Sequence, residues 1–144
     1  MPISRFHRRL LIVVGFAFFF DISDIFTFSY AAPSILYYWQ LSVPQIALAT
    51  SLGFLGMFIG ALGGGLISDR LGRRRSLMAM VAFFSVASLL NGLAPNLPLL
   101  LAARFLTGIG ISSATVVVMT IVSEFFPPDQ RGRFQSWAMV IALA

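Results

Sequence analysis

Four long runs of apolar residues, separated by short segments, constrain the fold of this chain more than any other feature. They cover roughly residues 10–32, 45–68, 76–94 and 99–126, and a fifth run begins near residue 134 and continues to residue 144. A hydrocarbon core about 30 Å thick is crossed by roughly 20 helical residues. Open sheet edges cannot be left in lipid, so the runs predict helices. We therefore expect an all-α, polytopic membrane protein with four transmembrane helices and the start of a fifth.

Local chemistry marks the ends of these predicted helices. Pro33 is expected to end or bend the first helix, which leaves the aromatic residues 37–39 in the following loop. The segment Ser42-Val-Pro44-Gln45 has the pattern of a capping box with proline in the first turn, so it predicts the start of the second helix.

Composition argues against a soluble domain. Hydrophobic residues make up 58% of the chain and charged residues 10%, and the mean hydropathy is +0.91. The net charge of +5 comes from arginines in terminal and interhelical segments, which indicates membrane topology and not a nucleic-acid-binding face. There is no cysteine, and the single histidine, His7, has no evident partner. The sequence therefore predicts no metal site, no cofactor and no enzyme.

The arginines also predict the orientation of the chain. They precede the first helix, follow the second and follow the fourth, whereas residues 33–44 and 94–98 carry no charge. Because arginine resists translocation, we expect residues 1–9 to be a cytoplasmic basic tail in a multi-pass protein of the cell membrane. A cleaved signal peptide is the alternative for residues 1–30, but two aspartates and the later spans argue against it.

The fifth run is too short to cross a membrane. From residue 134 to residue 144 a helix would cover about 16 Å, half of the hydrocarbon core. A chain ending there would leave backbone carbonyls unsatisfied in lipid. We therefore expect residues 10–144 to be an incomplete N-terminal domain of a longer protein.

Three charged residues, Asp21, Asp24 and Arg104, lie inside predicted spans. At 1.5 Å per residue, Asp24 and Arg104 are each about 21 Å from the cytoplasmic edge, and Asp21 is about 16 Å from it. Intramembrane charges usually face a cavity or a partner. The functional hypothesis is that all three line a substrate or proton pathway. The alternative, a buried ion pair that only fixes helix packing, stays open for Asp24 and Arg104, whereas Asp21 would remain as a second, unmatched carboxylate.

Glycines in two of the predicted helices indicate close helix packing. The second helix carries Gly56, Gly60 and Gly64 at every fourth position, and small residues at this spacing let helix backbones approach closely in lipid. Gly108 and Gly110 of the fourth helix are expected to serve packing as well.

Three motifs make the chain resemble the major facilitator superfamily. The segment Gly65-x-x-x-Asp69-Arg70-x-Gly72-Arg73-Arg74 resembles the signature that this superfamily carries in the loop between its second and third helices. A signature of proton-coupled members resembles Arg104-x-x-x-Gly108-x-Gly110, and the fourth-to-fifth loop of sugar and organic-acid porters resembles the segment with Glu124, Pro127, Arg131 and Gly132. The resemblance covers nearly the whole chain and implies four helices and part of a fifth, within a six-helix N-terminal half of a twelve-helix transporter.

The resemblance also implies a charge network at the cytoplasmic side. Gly72 would allow a tight turn, and Asp69 would cap the third helix or pair with Arg73. Glu124, Arg131 and the arginine cluster with Arg70 and Arg74 would complete a network that holds the outward-open state.

A finer resemblance concerns the substrate. The segment Asp21-Ile-Ser-Asp24 resembles the Asp-x-x-Asp of aromatic-acid/proton symporters, with Ile22 where those members usually carry glycine. This implies proton-coupled transport of a small organic acid by alternating access, with Arg104 as counter-ion, in a lipid bilayer and together with a C-terminal half. A sugar-type or drug-efflux porter of the same superfamily remains an alternative, as does a truncated membrane protein that does not transport.

Overall fold

The structure, a computed structural model, describes residues 5–125 and residues 132, 136 and 140, and four helices account for most of residues 5–125. Within residues 5–125 the elements are α1 (Arg5–Trp39), α2 (Val43–Leu71), α3 (Arg73–Gly92) and α4 (Leu97–Phe125). All four are long and apolar enough to cross a membrane. The predicted all-α fold with four membrane-length helices is confirmed. The fifth predicted helix, apart from the helical residues 136 and 140, lies outside the described residues.

The first helix is longer than predicted. It continues through Pro33 to Trp39, so the boundary predicted at residue 32 is wrong and the aromatic residues 37–39 form the last helical turn. Proline removes one backbone hydrogen bond, a loss that helices in membranes tolerate. The helix ends instead where Gln40 takes a left-handed conformation (φ 49°) and the Leu41 N–H donates to the Leu36 carbonyl at 3.1 Å, the arrangement of a Schellman motif.

Side-chain caps define the starts of α2 and α4. The Gln45 side chain accepts a hydrogen bond from the Ser42 backbone N–H at 2.8 Å, which is one arm of the predicted capping box. Asn96 accepts from the backbone N–H of Leu99 at 3.1 Å, so it caps α4.

The arginine-rich segment at residues 65–75 is almost entirely helical. Only Gly72 interrupts it, with φ 85° and ψ 148°, a backbone conformation that a residue with a Cβ rarely adopts. Asp69 and Arg70 therefore belong to the last turn of α2, and Arg73 begins α3. A single non-helical residue reverses the chain, so α2 and α3 are antiparallel neighbours.

Helix α4 is the centre of the described bundle. In its apolar stretch 56% of residues are buried, against 17–22% in the other three helices. It packs mainly on α2 and α3, and it meets α1 at Val14, which clusters with Val118 and Val122. Since Val14 lies near the late part of α4 while Asp24 meets Arg104 near its start, α1 and α4 are antiparallel.

Candidate functional site

A buried ion pair joins α1 to α4. Arg104 donates from Nη1 to Asp24 Oδ2 at 3.0 Å, and the two side chains are only 6% and 9% exposed. The Phe28 ring, one turn further along α1, lies under the guanidinium with its centroid 4.0 Å from Arg104 Cζ. Asp24 and Arg104, which we call the buried pair, are thus in contact, in agreement with their equal predicted depth. The aromatic face of Phe28 stabilises the cation further.

Two clefts open beside the buried pair. One, of about 360 Å³, lies between α1 and α2 and includes Phe28, Gly53 and Arg104 in its lining. The other, of about 310 Å³, lies between α1 and α3 and includes Asp24, Asn91 and Arg104. Arg104 borders both clefts.

Asp21 lies one turn before Asp24 and is half-buried. Among the residues that the structure describes, it has no ion-pair partner, because Arg104 is bound to Asp24. Its carboxylate is therefore the uncompensated one of the pair of aspartates on α1.

A second charged group lies where α2, α3 and α4 converge. Arg73 donates from Nη2 to Glu124 Oε1 at 2.7 Å and from Nη1 to Asp69 Oδ1 at 2.7 Å. The same Nη1 also donates to the Ser68 hydroxyl at 2.7 Å. These four residues, which we call the end cluster, tie the end of α2 and the start of α3 to the end of α4. Asp69 pairs with Arg73 and does not cap α3, which has no side-chain cap.

The other residues predicted for the charge network do not join this cluster in the described structure. Arg70 and Arg74 are exposed and form no ion pair with a described residue. A Cβ built on Gly65 meets no described atom within 4 Å, so packing does not require glycine there. Arg131 lies outside the described residues.

The α2–α4 contact is built on glycine. A Cβ added to Gly60 would lie 2.9 Å from Ile109 Cα, and one added to Gly64 would lie 2.7 Å from Ser113 Cα. Gly56 meets the Phe105 carbonyl and Gly108 the Gly53 carbonyl in the same way, whereas Gly110 faces Phe84 of α3. Along this contact the residue numbers increase in the same direction on α2 and on α4, so the two helices run parallel. The Ser113 hydroxyl donates to the Gly60 carbonyl at 2.9 Å and adds a hydrogen bond across this contact.

Sequence reasoning missed three participants: Ser68 in the end cluster, Phe28 at the buried pair and Ser113 in the glycine contact. Ser68 is 1% exposed and Ser113 is 2% exposed. The available signal was weak, since serines in apolar helices usually bond to their own helix. Phe28 is one of many phenylalanines on α1, and only the position of Arg104 distinguishes it.

The buried pair and the end cluster are built from carboxylates and guanidinium groups, which bind ions and acids. Among the described residues, no three His, Asp or Glu side chains come together as metal ligands would. The buried pair offers a guanidinium, the side chain best suited to bind a carboxylate or another anion.

Comparison with known proteins gives a consistent assignment. The sequence profile described as Major Facilitator Superfamily matches residues 14–144. The chain is 43% identical to the putative metabolite transport protein YyaJ of Bacillus subtilis, over 99% of this chain and 32% of that protein. It is 37% identical to the niacin transporter NiaP of Acinetobacter baylyi, over 93% and 30%, and 33% identical to the 4-hydroxybenzoate transporter PcaK of Pseudomonas aeruginosa, over 88% and 28%. The chain thus spans about a third of the length of these relatives.

Proposed function

Because the chain belongs to the major facilitator superfamily, whose members are membrane transporters and not enzymes, we propose that it forms the N-terminal part of a proton-coupled transporter of small organic acids. Two relatives are named for niacin and for 4-hydroxybenzoate, both aromatic acids. A complete transporter would rock two six-helix halves about a site near the membrane midplane. In this proposal, the C-terminal half of the transporter is formed by residues other than 10–144.

The buried Asp24–Arg104 pair is the observation that carries this proposal. A charge pair at this depth in an apolar bundle is costly to bury, and such residues usually serve transport. Arginine binds a carboxylate in bidentate fashion, so Arg104 can bind a substrate carboxylate while it stays paired with Asp24. A proton on Asp24 or on the neighbouring Asp21 would balance the added negative charge.

The end cluster has a different role in this proposal. With the N-terminus cytoplasmic and the protein in the cell membrane, Asp69, Arg73 and Glu124 lie on the cytoplasmic side, where they hold the outward-open state. The hydrogen bonds of the end cluster join α2, α3 and α4 at their ends. A rocking motion would separate the helices at these ends.

Uptake by the complete natural protein in liposomes tests the proposal. We expect an imposed inward proton gradient to drive uptake of labelled 4-hydroxybenzoate and not of a hexose. Asp21→Asn and Asp24→Asn should each reduce the gradient-driven part at least tenfold. Ser85→Ala is the control, because Ser85 is exposed but for a hydrogen bond from its hydroxyl to the Val81 carbonyl of its own helix, and in the described structure it belongs to neither charged group. Unchanged proton-driven uptake in both aspartate variants would reject the pathway, and preference for the hexose would favour a sugar porter.

A further inference from the structure

We propose that the cleft between α1 and α2 is a seat for a planar aromatic carboxylate, which binds the Nε–Nη2 edge of Arg104 and needs glycine at position 53. The inference rests on the proposed function and makes it more specific, since it assigns one cleft, one edge of the guanidinium and one selectivity residue.

The first step is the unpaired nitrogen of Arg104. Its Nη1 is bound to Asp24, but its buried Nε has no hydrogen-bond partner among the described residues. Buried N–H groups are nearly always satisfied, and leaving one unpaired is costly. The Nε–H is therefore expected to meet an acceptor in another state of the protein.

The second step is the direction of that nitrogen. A Cβ placed on Gly53 would lie 3.6 Å from Arg104 Nη2 and 3.8 Å from Nε. The Nε–Nη2 edge thus faces α2 at a residue without a side chain, and both residues line the same cleft of about 360 Å³. Two parallel N–H groups on one edge match the two oxygens of a carboxylate. Asp24 leaves this edge free for a second carboxylate.

The third step is the apolar wall of the cleft. Phe28 lies under the guanidinium, and Phe54 and Met57 line the cleft from α2. A flat ring attached to the carboxylate would contact these side chains while its charge meets Arg104. The volume is within the roughly 300–1,000 Å³ of ordinary ligand pockets.

The fourth step separates Gly53 from the packing glycines. At Gly56, Gly60 and Gly64 an added Cβ would collide with the α4 backbone, whereas at Gly53 it would sit at ordinary contact distance from Arg104. A clash between a Cβ and the α4 backbone therefore does not explain glycine at position 53. Glycine at this position leaves the Nε–Nη2 edge of Arg104 without a covering side chain.

The test is binding of niacin and 4-hydroxybenzoate to the complete natural protein in detergent, measured by calorimetry without a proton gradient. Gly53→Ala should raise both Kd values at least tenfold, because the methyl group covers the Nε–Nη2 edge. It should leave the thermal midpoint nearly unchanged, since the methyl fits. Gly63→Ala is the matched control, as a Cβ there meets no described atom within 4 Å. Nicotinamide, which lacks the carboxylate charge, should bind the unmodified protein at least tenfold more weakly than niacin.

A second variant, Gly53→Ser, tests whether weaker binding comes from loss of the site and not from a less stable protein. In Gly53→Ser the hydroxyl can accept from Arg104 Nε, so it should raise the thermal midpoint and weaken niacin binding. The proposal is overturned if Gly53→Ala binds both acids like Gly63→Ala, or if the unmodified protein binds neither acid. Proton-driven uptake that Gly53→Ala leaves unchanged would overturn this site and keep the proposed transport function. If Gly53→Ala weakens binding but the unmodified protein shows no uptake, the site is supported and the proposed transport function is overturned.

Discussion

The buried pair and the end cluster use the same carboxylate–guanidinium chemistry in opposite surroundings. Arg104 and Glu124 are separated by 20 residues of α4, about 30 Å. The side chains of the buried pair are 6% and 9% exposed, while those of Arg73, Asp69 and Glu124 are 27%, 65% and 44% exposed. In the buried pair, each charge is stabilised mainly by the opposite charge of its partner. In the end cluster, water screens the exposed charges. We expect the buried pair to contribute much more to stability than the end cluster, and the end cluster to act mainly on the balance between conformations.

Breaking the buried pair from one side should have the largest effect. Arg104→Gln removes the cation and leaves Asp24 buried and unpaired, which should destabilise the protein by about 3–5 kcal/mol. Unfolding of the purified protein in detergent, at a pH where aspartate is ionised in water, measures the loss. The double variant Asp24→Asn, Arg104→Gln should recover most of it, because no buried charge remains. A single variant as stable as the unmodified protein would show that the pair is not buried in the working state.

The glycine contact between the two charged groups should come next. Gly60→Ala places a methyl group against the Ile109 backbone, so α2 and α4 must separate, at a cost of about 1–3 kcal/mol. Gly63→Ala on the same helix makes no such contact and should stabilise by about 0.5–1 kcal/mol, the helix propensity of alanine over glycine. Comparing the two variants by thermal unfolding separates close packing from the helix propensity of alanine. Equal effects would mean that this contact does not depend on glycine.

Removing one charge from the end cluster should cost little. Glu124→Gln should destabilise by about 0.2–1 kcal/mol, the range of exposed ion pairs. The difference from the unmodified protein should shrink between low and high salt, since salt screens exposed charges. The effect of Arg104→Gln should not change over the same range. A salt-independent effect of Glu124→Gln would place the end cluster in a drier environment than its exposure indicates.

The two regions also differ in how far the sequence predicts them. Counting 1.5 Å per residue is enough to bring Asp24 to the level of Arg104, because straight helices of known direction fix depth. The spacing of Gly56, Gly60 and Gly64 predicts a close contact for a similar reason, although the partner helix α4 comes only from the structure.

Details that depend on helix ends or on rotation about a helix axis are not in the pattern. Pro33 predicts an end that the structure does not contain, because the C-terminal motif at Gln40 decides where α1 stops. Gly65 and Arg70 fit the family motif, yet the end cluster uses Ser68, which no motif position identifies. The open edge of Arg104 depends on the rotamer that Asp24 and Phe28 select.

The smallest effect on stability, and the sharpest separation between the two regions, is expected for Asp69→Ala. Asp69 is the most exposed member of the end cluster. When the Asp69 carboxylate is removed, Arg73 keeps its hydrogen bonds to Ser68 and Glu124. We therefore expect a change in thermal midpoint close to the error of the measurement. The rate of uptake in liposomes should nevertheless fall severalfold with KM unchanged, if the cluster acts, as we propose, on the conformational equilibrium and not on the substrate. Asp69→Asn keeps an acceptor oxygen for Arg73 without the charge, so an intermediate rate would attribute the effect to charge and hydrogen bonding together. A rise in KM at constant maximal rate would contradict the division between the two regions, since it would connect the end cluster to substrate binding 30 Å away, about the length of α4 that separates them.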